Sequence, residues 1–301
     1  MMRSAVLAVA DRSVTRGLIT QTGVGRAVAQ RFIAGDDLSA AIDAARRLNA
    51  QGMPVSLDHL GEHVSVIDEA ERATESYREC LVAIDHAGLD ANISIKLTQL
   101  GMGLDDEVAA TNLDELAAAA AEVGRSVTVD MEESRHTEAT IDIYERVQRQ
   151  HGNVGIAVQS YLRRTAGDLQ RIIRLGGHVR LCKGAYAEPQ DVAFQSKAEV
   201  DASFDALAAT LMRATGVTPA IASHDDARLA PVLALGEHRS EPWEFQMLYG
   251  VRRDRQRELV RTGHRVRIYV PYGSAWYPYF SRRLAERPAN LTFFARALLG
   301  R

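Results

Sequence analysis

The stretch that decides the fold reads GNVGIAVQSYLRRTAGDLQRIIRLGGHVRLCKGAY over residues 152–186. Its apolar run at 154–158 has the length and composition of a buried strand. Residues 165–175 carry apolar side chains at helical spacing, and a Gly-Gly pair then ends the helix. A second apolar strand follows at 178–182. A strand, a helix and another strand in this order predict a βαβ unit with parallel strands.

The same unit repeats on both sides of this stretch. Apolar strands, each followed by a helix, are predicted at 55–57, 92–96, 126–130, 154–158, 178–182, 218–222, 243–247 and 265–269. Eight such units are the number found in a closed (β/α)8 barrel, although an open eight-stranded sheet would give the same pattern. We therefore predict an α/β fold with a TIM-type barrel over residues 51–301, preceded by a helical segment over residues 1–50.

Almost every predicted strand ends in a polar or ionisable residue. These residues are Asp58, Lys96, Asp130, Gln159, Arg180, Lys183, Ser223, His224, Gln246 and Tyr269. Active sites of barrels lie at the carboxyl ends of the strands, so the set predicts a site there. Single positions have simpler explanations, since Lys96 could extend to solvent and Asp130 could cap the following turn.

Two segments are more specific. RLCKGAY at 180–186 places two cations at a strand end, and its Gly-Ala pair lets the backbone approach a phosphate or an electron-rich ring. In a helix predicted over 274–287, Tyr279, Arg282 and Arg283 share one face. Two adjacent guanidinium groups fit a carboxylate or a phosphate, and a solvated basic turn is the alternative.

Composition and charge narrow the function further. An apolar fraction of 46 % with 25 % charged residues indicates a globular protein, and a net charge of -3 gives no reason to expect nucleic acid. No apolar run approaches the roughly 18 residues that span a bilayer. Asp11 and Arg12 interrupt the first apolar segment, which predicts a helix and not a signal peptide. The isolated Cys80 and Cys182 predict reduced thiols, a cytoplasmic protein and no metal site.

Taken together, the motifs resemble the proline dehydrogenase family, in its short monofunctional bacterial form. The resemblance covers residues 30–290 and is carried by Tyr269 and by SIKLTQLG (94–101), VTVDMEES (127–134), RLCKGAY (180–186), ASHD (222–225), EFQMLYG (244–250) and YFSRRLAER (279–287). It implies a distorted barrel with non-covalently bound FAD at its top and the last helix over its mouth. L-Proline would be oxidised there to Δ1-pyrroline-5-carboxylate, with hydride passing to flavin N5 and electrons going on to a quinone.

The resemblance also assigns roles to single residues. Catalytic roles fall to Asp130, Arg180 and Tyr269. Substrate contacts fall to Lys96, Tyr186, Tyr279, Arg282 and Arg283, and the two arginines would pair with the proline carboxylate. Cofactor contacts fall to Val129, Gln159, Arg180, Lys183, Gly184, Ala185, Ser223 and His224. Ala187 stands where the family often has an aromatic residue near the adenine, which leaves the adenine contacts open.

The expected partners follow from the same resemblance. A quinone is lipid-soluble, which leaves open a peripheral contact with the inner face of the membrane. No second catalytic domain fits in this chain, so a separate pyrroline-5-carboxylate dehydrogenase is the expected metabolic partner. Two other classes of function remain as alternatives. One is a phosphate- or carboxylate-binding lyase of aldolase type with Lys96 or Lys183 as a Schiff-base lysine, and the other is a silent barrel acting as a binding module.

Overall fold

A computed structural model describes residues 31–61 and 64–280, which form a closed barrel of eight parallel strands. The strands are β1 (Val55–His59), β2 (Ala91–Ile95), β3 (Val127–Val129), β4 (Val154–Gln159), β5 (Gly177–Cys182), β6 (Val217–Ala222), β7 (Glu244–Leu248) and β8 (Val266–Tyr272). Each strand pairs with its neighbour in the sequence, and β1 also pairs with β8. The predicted barrel is therefore confirmed, and the pairing of β1 with β8 supplies the closure that the strand count alone left open.

The helices surround this barrel. The helix α1 (Leu38–Asn49) precedes β1, and one helix follows each of the first seven strands. These are α2 (Ile67–His86), α3 (Asp106–Glu122), α4 (Thr137–His151), α5 (Thr165–Ile173), α6 (Lys197–Arg213), α7 (Asp226–Gly236) and α8 (Arg253–Arg261). Residues 277–280 are also helical. Asp37 caps α1 by accepting a hydrogen bond from the backbone of Ala40.

The sequence predicts helices over 113–123 and 192–215, and both begin elsewhere, because side-chain caps decide where each one starts. The helix α3 begins near residue 106 and not 113, since the Asp105 carboxylate accepts hydrogen bonds from the backbone of Glu107 and Val108. The helix α6 begins near residue 197 and not 192, since Ser196 and Glu199 form a capping box. The helix predicted to follow Ser274 directly is observed from residue 277.

The strands separate apolar from polar side chains by alternation. Residues such as Leu57, Ile95 and Val129 are fully buried in the main apolar core together with helical side chains. The alternate residues point into the barrel. Many of these are polar, and we call six of them the interior polar layer: Ser56, Asn92, Thr128, His178, Glu244 and Arg267. Hydrogen bonds link neighbours in this layer, such as Asn92 Nδ2 to Thr128 Oγ1 at 3.0 Å and Arg267 Nη1 to Asn92 Oδ1 at 3.3 Å.

A smaller apolar cluster lies at the mouth of the barrel. Phe32, Leu60, Trp276 and Phe280 belong to it, and the rings of Phe32 and Phe280 lie 6.4 Å apart. The segment before α1 and the helical residues after β8 therefore pack on each other above the strands. Within the described ranges, no helix is long and apolar enough to cross a membrane. Most of the predicted segment 1–50 lies outside the described residues.

Candidate active site

A cavity of about 720 Å³ opens at the carboxyl ends of the strands. This volume lies in the range of about 300–1,000 Å³ that is usual for small-molecule and cofactor sites. Twelve of the predicted site residues line it: Lys96, Asp130, Gln159, Arg180, Lys183, Gly184, Ala185, Tyr186, Ser223, His224, Tyr269 and Tyr279. Val129 does not line it, because the alternation along β3 turns this side chain toward the helices. Arg282 and Arg283 lie outside the described residues.

Asp130 is the centre of the cavity floor. The Tyr269 hydroxyl donates to Asp130 Oδ2 at 2.6 Å, and the Ser94 hydroxyl donates to Oδ1 at 2.9 Å. Arg180 Nη1 also donates to Oδ1, and it donates to Ser94 Oγ at 3.0 Å. Both carboxylate oxygens are therefore occupied by donors of the protein, and Asp130 acts as an anchor that holds Arg180 and Tyr269 in place.

Lys96 and Asp58 form a second buried ion pair in the floor. Lys96 Nζ lies 2.8 Å from Asp58 Oδ1 and 3.7 Å from Asp130 Oδ2. The Lys96 side chain is only 8 % exposed and that of Asp58 is 0 % exposed, so solvent screens neither charge. The two cations Lys96 and Arg180 balance the two carboxylates. An anionic substrate consequently needs further positive charge from outside the floor.

Tyr269 remains a hydrogen-bond donor over the whole physiological pH range. Burial, together with the negative charges of Asp130 and Asp58, raises the pKa of the Tyr269 hydroxyl well above its ordinary value. The guanidinium carbon of Arg180 lies 5.2 Å from the centre of the Tyr269 ring, which is a cation–π distance. The ring of Tyr269 thus contacts the cation of Arg180, and its hydroxyl contacts the anion of Asp130.

At the side of the cavity, Lys183 is held by two carboxylates. Its ammonium pairs with Asp201 of α6 and lies 3.1 Å from Asp225 Oδ2. Burial alone would raise the pKa of both carboxyl groups, but the hydrogen bonds and the charge of Lys183 lower both pKa values overall. Lys183 is therefore fixed as a cation at the cavity wall.

The imidazole of His224 is held in one tautomer. The backbone N–H of Leu248 lies 3.1 Å from His224 Nε2, and Arg252 Nη1 donates to the carbonyl oxygen of His224 at 2.6 Å. A backbone N–H can only donate, so Nε2 must accept, and the neutral ring carries its proton on Nδ1. His224 can therefore donate from Nδ1.

Comparisons with known proteins agree with this geometry. The proline dehydrogenase family model matches residues 41–296 of the chain. Proline dehydrogenase 1 of Bacillus subtilis subsp. natto is 40 % identical over 274 residues, which are 90 % of each chain. Proline dehydrogenase of Deinococcus radiodurans is 36 % identical in an alignment 308 residues long, which covers 99 % of this chain and 98 % of that one. The chain belongs to the proline dehydrogenase family. The predicted oxidation of proline to Δ1-pyrroline-5-carboxylate is confirmed, and the lyase and silent-barrel alternatives are set aside.

Parts of larger proteins share the fold and the sequence pattern of this chain. A crystal structure of proline utilization A from Bdellovibrio bacteriovorus inactivated by N-propargylglycine superimposes with a TM-score of 0.81 and 25 % identity. The match covers 87 % of this chain and 33 % of that one. The bifunctional protein PutA of Escherichia coli is 26 % identical over 317 residues, with 90 % of this chain and 24 % of that protein covered.

The proline dehydrogenase family is flavin-dependent, and the cavity residues fit such a cofactor. Gln159 Oε1 and Arg180 Nη2 are buried and have no hydrogen-bond partner among the described residues, although both side chains line the cavity. A flavin ring carries both acceptors and an N–H donor, which these two atoms can satisfy. Gly184 has φ +114°, and an added Cβ there would overlap the Tyr161 ring, so only glycine brings this backbone to the wall.

Sequence reasoning placed Asp58 and Gln246 in the strand-end set but gave neither of them a role. Gln246 lines the cavity, and Asp58 pairs with Lys96 in the floor. Two other residues were not predicted: Arg252, which lines the cavity, and Asp201, which pairs with Lys183. They lie at a helix start and on a helix, where the sequence pattern does not distinguish them from surface charges. In the described part of the chain, no group of three or more His, Cys, Asp or Glu residues could hold a metal ion.

Proposed function

We propose that this proline dehydrogenase binds FAD non-covalently in the cavity, oxidises L-proline there and passes the electrons to a quinone. The observation that carries the proposal is the convergence of Lys96, Asp130, Arg180 and Tyr269 on one buried floor beneath a wall that contains Lys183 and Gly184. Polar wall atoms suited to a flavin and a floor suited to a small polar substrate share this cavity.

The residues that would hold FAD fall into two groups. Gln159 and Arg180, with their unpaired buried atoms, would contact the flavin ring. Lys183, the Gly184-Ala185 backbone, Ser223 and His224 would contact the remainder of the cofactor, since a fixed cation and an open backbone suit a diphosphate. When bound, FAD supplies the two-electron acceptor for the reaction.

The substrate side of the cavity requires charges beyond those of the floor. Lys96 and Arg180 are already paired with Asp58 and Asp130, so they leave the negative charge of the proline carboxylate uncompensated. Arg282 and Arg283, which follow the described residue Tyr279 in sequence, are the proposed partners of that carboxylate. Tyr269, Tyr279 and Tyr186 would surround the ring of the substrate.

Formation of the product imine needs the lone pair of the ring nitrogen, so the amine must be neutral when the C5–H bond breaks. Positive charge near an amine lowers its pKa. Because Asp58 already balances the charge of Lys96, Arg282 and Arg283 would supply this positive charge. A Schiff-base lysine would have to attack as a neutral amine, whereas Lys96 is engaged in an ion pair with Asp58.

The proposed setting of the enzyme is cytoplasmic, with peripheral contact to the inner face of the membrane where a lipid-soluble quinone is reached. A separate pyrroline-5-carboxylate dehydrogenase would consume the product. Relatives named as bifunctional PutA proteins support this partnership. This chain matches only 24 % of their length, which leaves the second function of those proteins to the part that this chain does not match.

The proposal is tested by reconstituting the purified protein with FAD and supplying L-proline with a soluble quinone analogue. We expect one quinone to be reduced for each proline that loses two hydrogens, and FAD to be released intact when the protein is denatured. D-Proline is the control, because its carboxylate cannot reach the same cations when its ring is in place. A protein that retains flavin covalently, or that consumes proline without reducing the quinone, would overturn the corresponding part of the proposal.

A further inference from the structure

Gln246 links the interior polar layer to the cavity floor. Below the floor, Glu244 is 3 % exposed and its Oε1 accepts hydrogen bonds from Arg267 Nε at 2.8 Å and from Gln246 Nε2 at 2.7 Å. Burial alone would raise the pKa of Glu244, but the hydrogen bond from His178 and the charge of Arg267 hold this pKa well below its usual range. Glu244 is therefore a permanent buried anion directly beneath Gln246.

Two of the partners of Gln246, Glu244 and Arg180, determine which way its amide faces. Glu244 is a carboxylate and can only accept, so the amide nitrogen of Gln246 must point toward it. Arg180 Nε can only donate, so the amide oxygen of Gln246 must point toward Arg180. The flipped amide would place a donor against a donor and an acceptor against an acceptor. Gln246 is thus oriented from below and presents an acceptor to Arg180.

The hydrogen bond from Arg180 Nε to Gln246 determines which N–H group of Arg180 remains available to a ligand in the cavity. Arg180 Nε donates to Gln246, and Nη1 donates to Asp130 and Ser94. Nη2 is buried without a hydrogen-bond partner among the described residues, and the residue lines the cavity. Without the acceptor on Gln246, the guanidinium could rotate into a bidentate pair with Asp130, which is the favoured geometry for arginine and a carboxylate. That rotation would consume the donor at Nη2.

We infer that Gln246 is a positioning residue that holds Arg180 so that Nη2 remains free to donate to the flavin ring. This inference rests on the proposed function. An amide suits the position better than a carboxylate, because a second anion beside Glu244 would be repelled and would upset the charge balance of the floor. Gln246 therefore acts on the cofactor through Arg180.

The test compares Gln246→Met with Gln148→Met. Gln148 is also buried, and its side chain accepts from the Val154 backbone at the opposite end of the barrel. Apoprotein is titrated with FAD to obtain the dissociation constant, and the midpoint potential of the bound flavin is measured. We expect Gln246→Met to weaken FAD binding at least about tenfold, to make the potential more negative and to lower kcat with little change in KM for proline. Gln148→Met should lose stability without moving the FAD affinity or the potential.

A second variant keeps the test decisive if Gln246→Met fails to fold. Gln246→Asn keeps an uncharged amide beside Glu244 but is one methylene shorter and so withdraws its oxygen from Arg180. We therefore expect weaker FAD binding and a more negative potential without any added charge. FAD affinity and potential that stay at the parent values in the folded variants would overturn the role of Gln246, as would equal shifts in Gln148→Met. A parent protein that binds no FAD would overturn the proposed function, and this inference with it.

Discussion

Tyr269 in β8 donates its hydroxyl to Oδ2 of Asp130, which follows β3, at 2.6 Å. This bond crosses the mouth of the barrel and joins two segments that are 139 residues apart in sequence. The other oxygen of Asp130 is occupied by Arg180 and Ser94. A carboxylate whose two oxygens both accept from the protein is poorly placed to remove a proton from a substrate. Asp130 therefore organises the floor, and its charge keeps Tyr269 and Arg180 in fixed positions.

Removal of that hydroxyl should affect both activity and stability. Tyr269→Phe takes one charge-assisted hydrogen bond away from a poorly solvated carboxylate, which costs about 1.5–3 kcal/mol. We expect kcat/KM for proline to fall about tenfold or more, because Asp130 in the floor loses its hydrogen bond to β8 and is held less firmly. The matched control is Tyr144→Phe, whose hydroxyl lies 3.5 Å from the carbonyl oxygen of Gly176 at the other end of the barrel. Steady-state kinetics and urea unfolding are the measurements, and equal kinetic losses in both variants would contradict this role of Tyr269.

Lys183 should control cofactor affinity. Lys183→Met removes one cation of the cavity wall and leaves Asp201 and Asp225 less compensated. We expect the FAD dissociation constant to rise at least about tenfold, because two nearby carboxylates would then repel the diphosphate. Arg228→Met is the control, since Arg228 also pairs with Asp201 but does not line the cavity. A fluorescence titration distinguishes them, and unchanged FAD affinity in Lys183→Met would remove Lys183 from the proposed binding site.

Gly184 should tolerate no side chain. Gly184→Ala meets two penalties, a left-handed backbone at φ +114° and overlap with the Tyr161 ring. Gly152→Ala is the matched control, because it has φ +74° but no atom within 4 Å of an added Cβ. Only the backbone penalty of about 1–2 kcal/mol applies to the control. We expect Gly184→Ala to be clearly less stable in urea than Gly152→Ala and to bind FAD more weakly. Equal stability of the two variants would contradict the close approach of the Gly184 backbone to the Tyr161 ring.

Stability should decrease in mildly acidic solution because of two buried histidines. Burial lowers the pKa of His178; the hydrogen bond to Glu244 and the charge of Glu244 oppose this shift, and the charges of Arg180 and Arg267 add to it. Burial also lowers the pKa of His59, with Lys96 adding to the effect and Asp58 opposing it. A lowered folded-state pKa means that the unfolded chain binds more protons. The free energy of unfolding should therefore fall as the pH drops below about 6.5, until the lower folded pKa is reached.

Each histidine can contribute a slope of at most about 1.4 kcal/mol per pH unit in that window. Carboxylates such as Glu244, whose pKa is lowered from 4.5, lose their contribution only at more acidic pH. Urea unfolding at pH 7.5, 6.5 and 5.5 measures the slope. His178→Gln should reduce it, because glutamine keeps a donor for Glu244 but does not titrate. A free energy of unfolding that is constant over these three pH values would contradict the burial of both histidines.

The barrel and most of its site could be predicted from the sequence because parallel strands align their carboxyl ends. Apolar runs that end in Lys96, Asp130 and Gln159 placed those residues at one edge before any contact was known, and the cavity brings them together. Val129 was assigned to the cofactor by resemblance alone, and the structure places it in the outer apolar core. Periodicity within β3 distinguishes it from Asp130, because neighbouring residues of a strand point to opposite sides.

The interior polar layer could not be predicted in the same way. His178, Glu244 and Arg267 alternate with apolar residues, which is also the pattern of a strand with one face in solvent. Only the closed barrel shows that this face is buried and that the charges pair across it. The starts of α3 and α6 were missed although their caps are local in sequence. Apolar spacing was used to place these starts, whereas the Asp105 cap and the Ser196–Glu199 capping box set them.

The most direct test of the account is the visible spectrum of the FAD-reconstituted protein, recorded before and after anaerobic addition of L-proline. We predict flavin absorption bands that bleach on addition of L-proline and return when a quinone is admitted. This result would establish the cofactor, the substrate and the direction of electron flow in one experiment. Flavin bands that stay unchanged with L-proline would contradict the proposed coupling of proline to the bound cofactor, and a colourless protein in the presence of added FAD would contradict the cofactor itself.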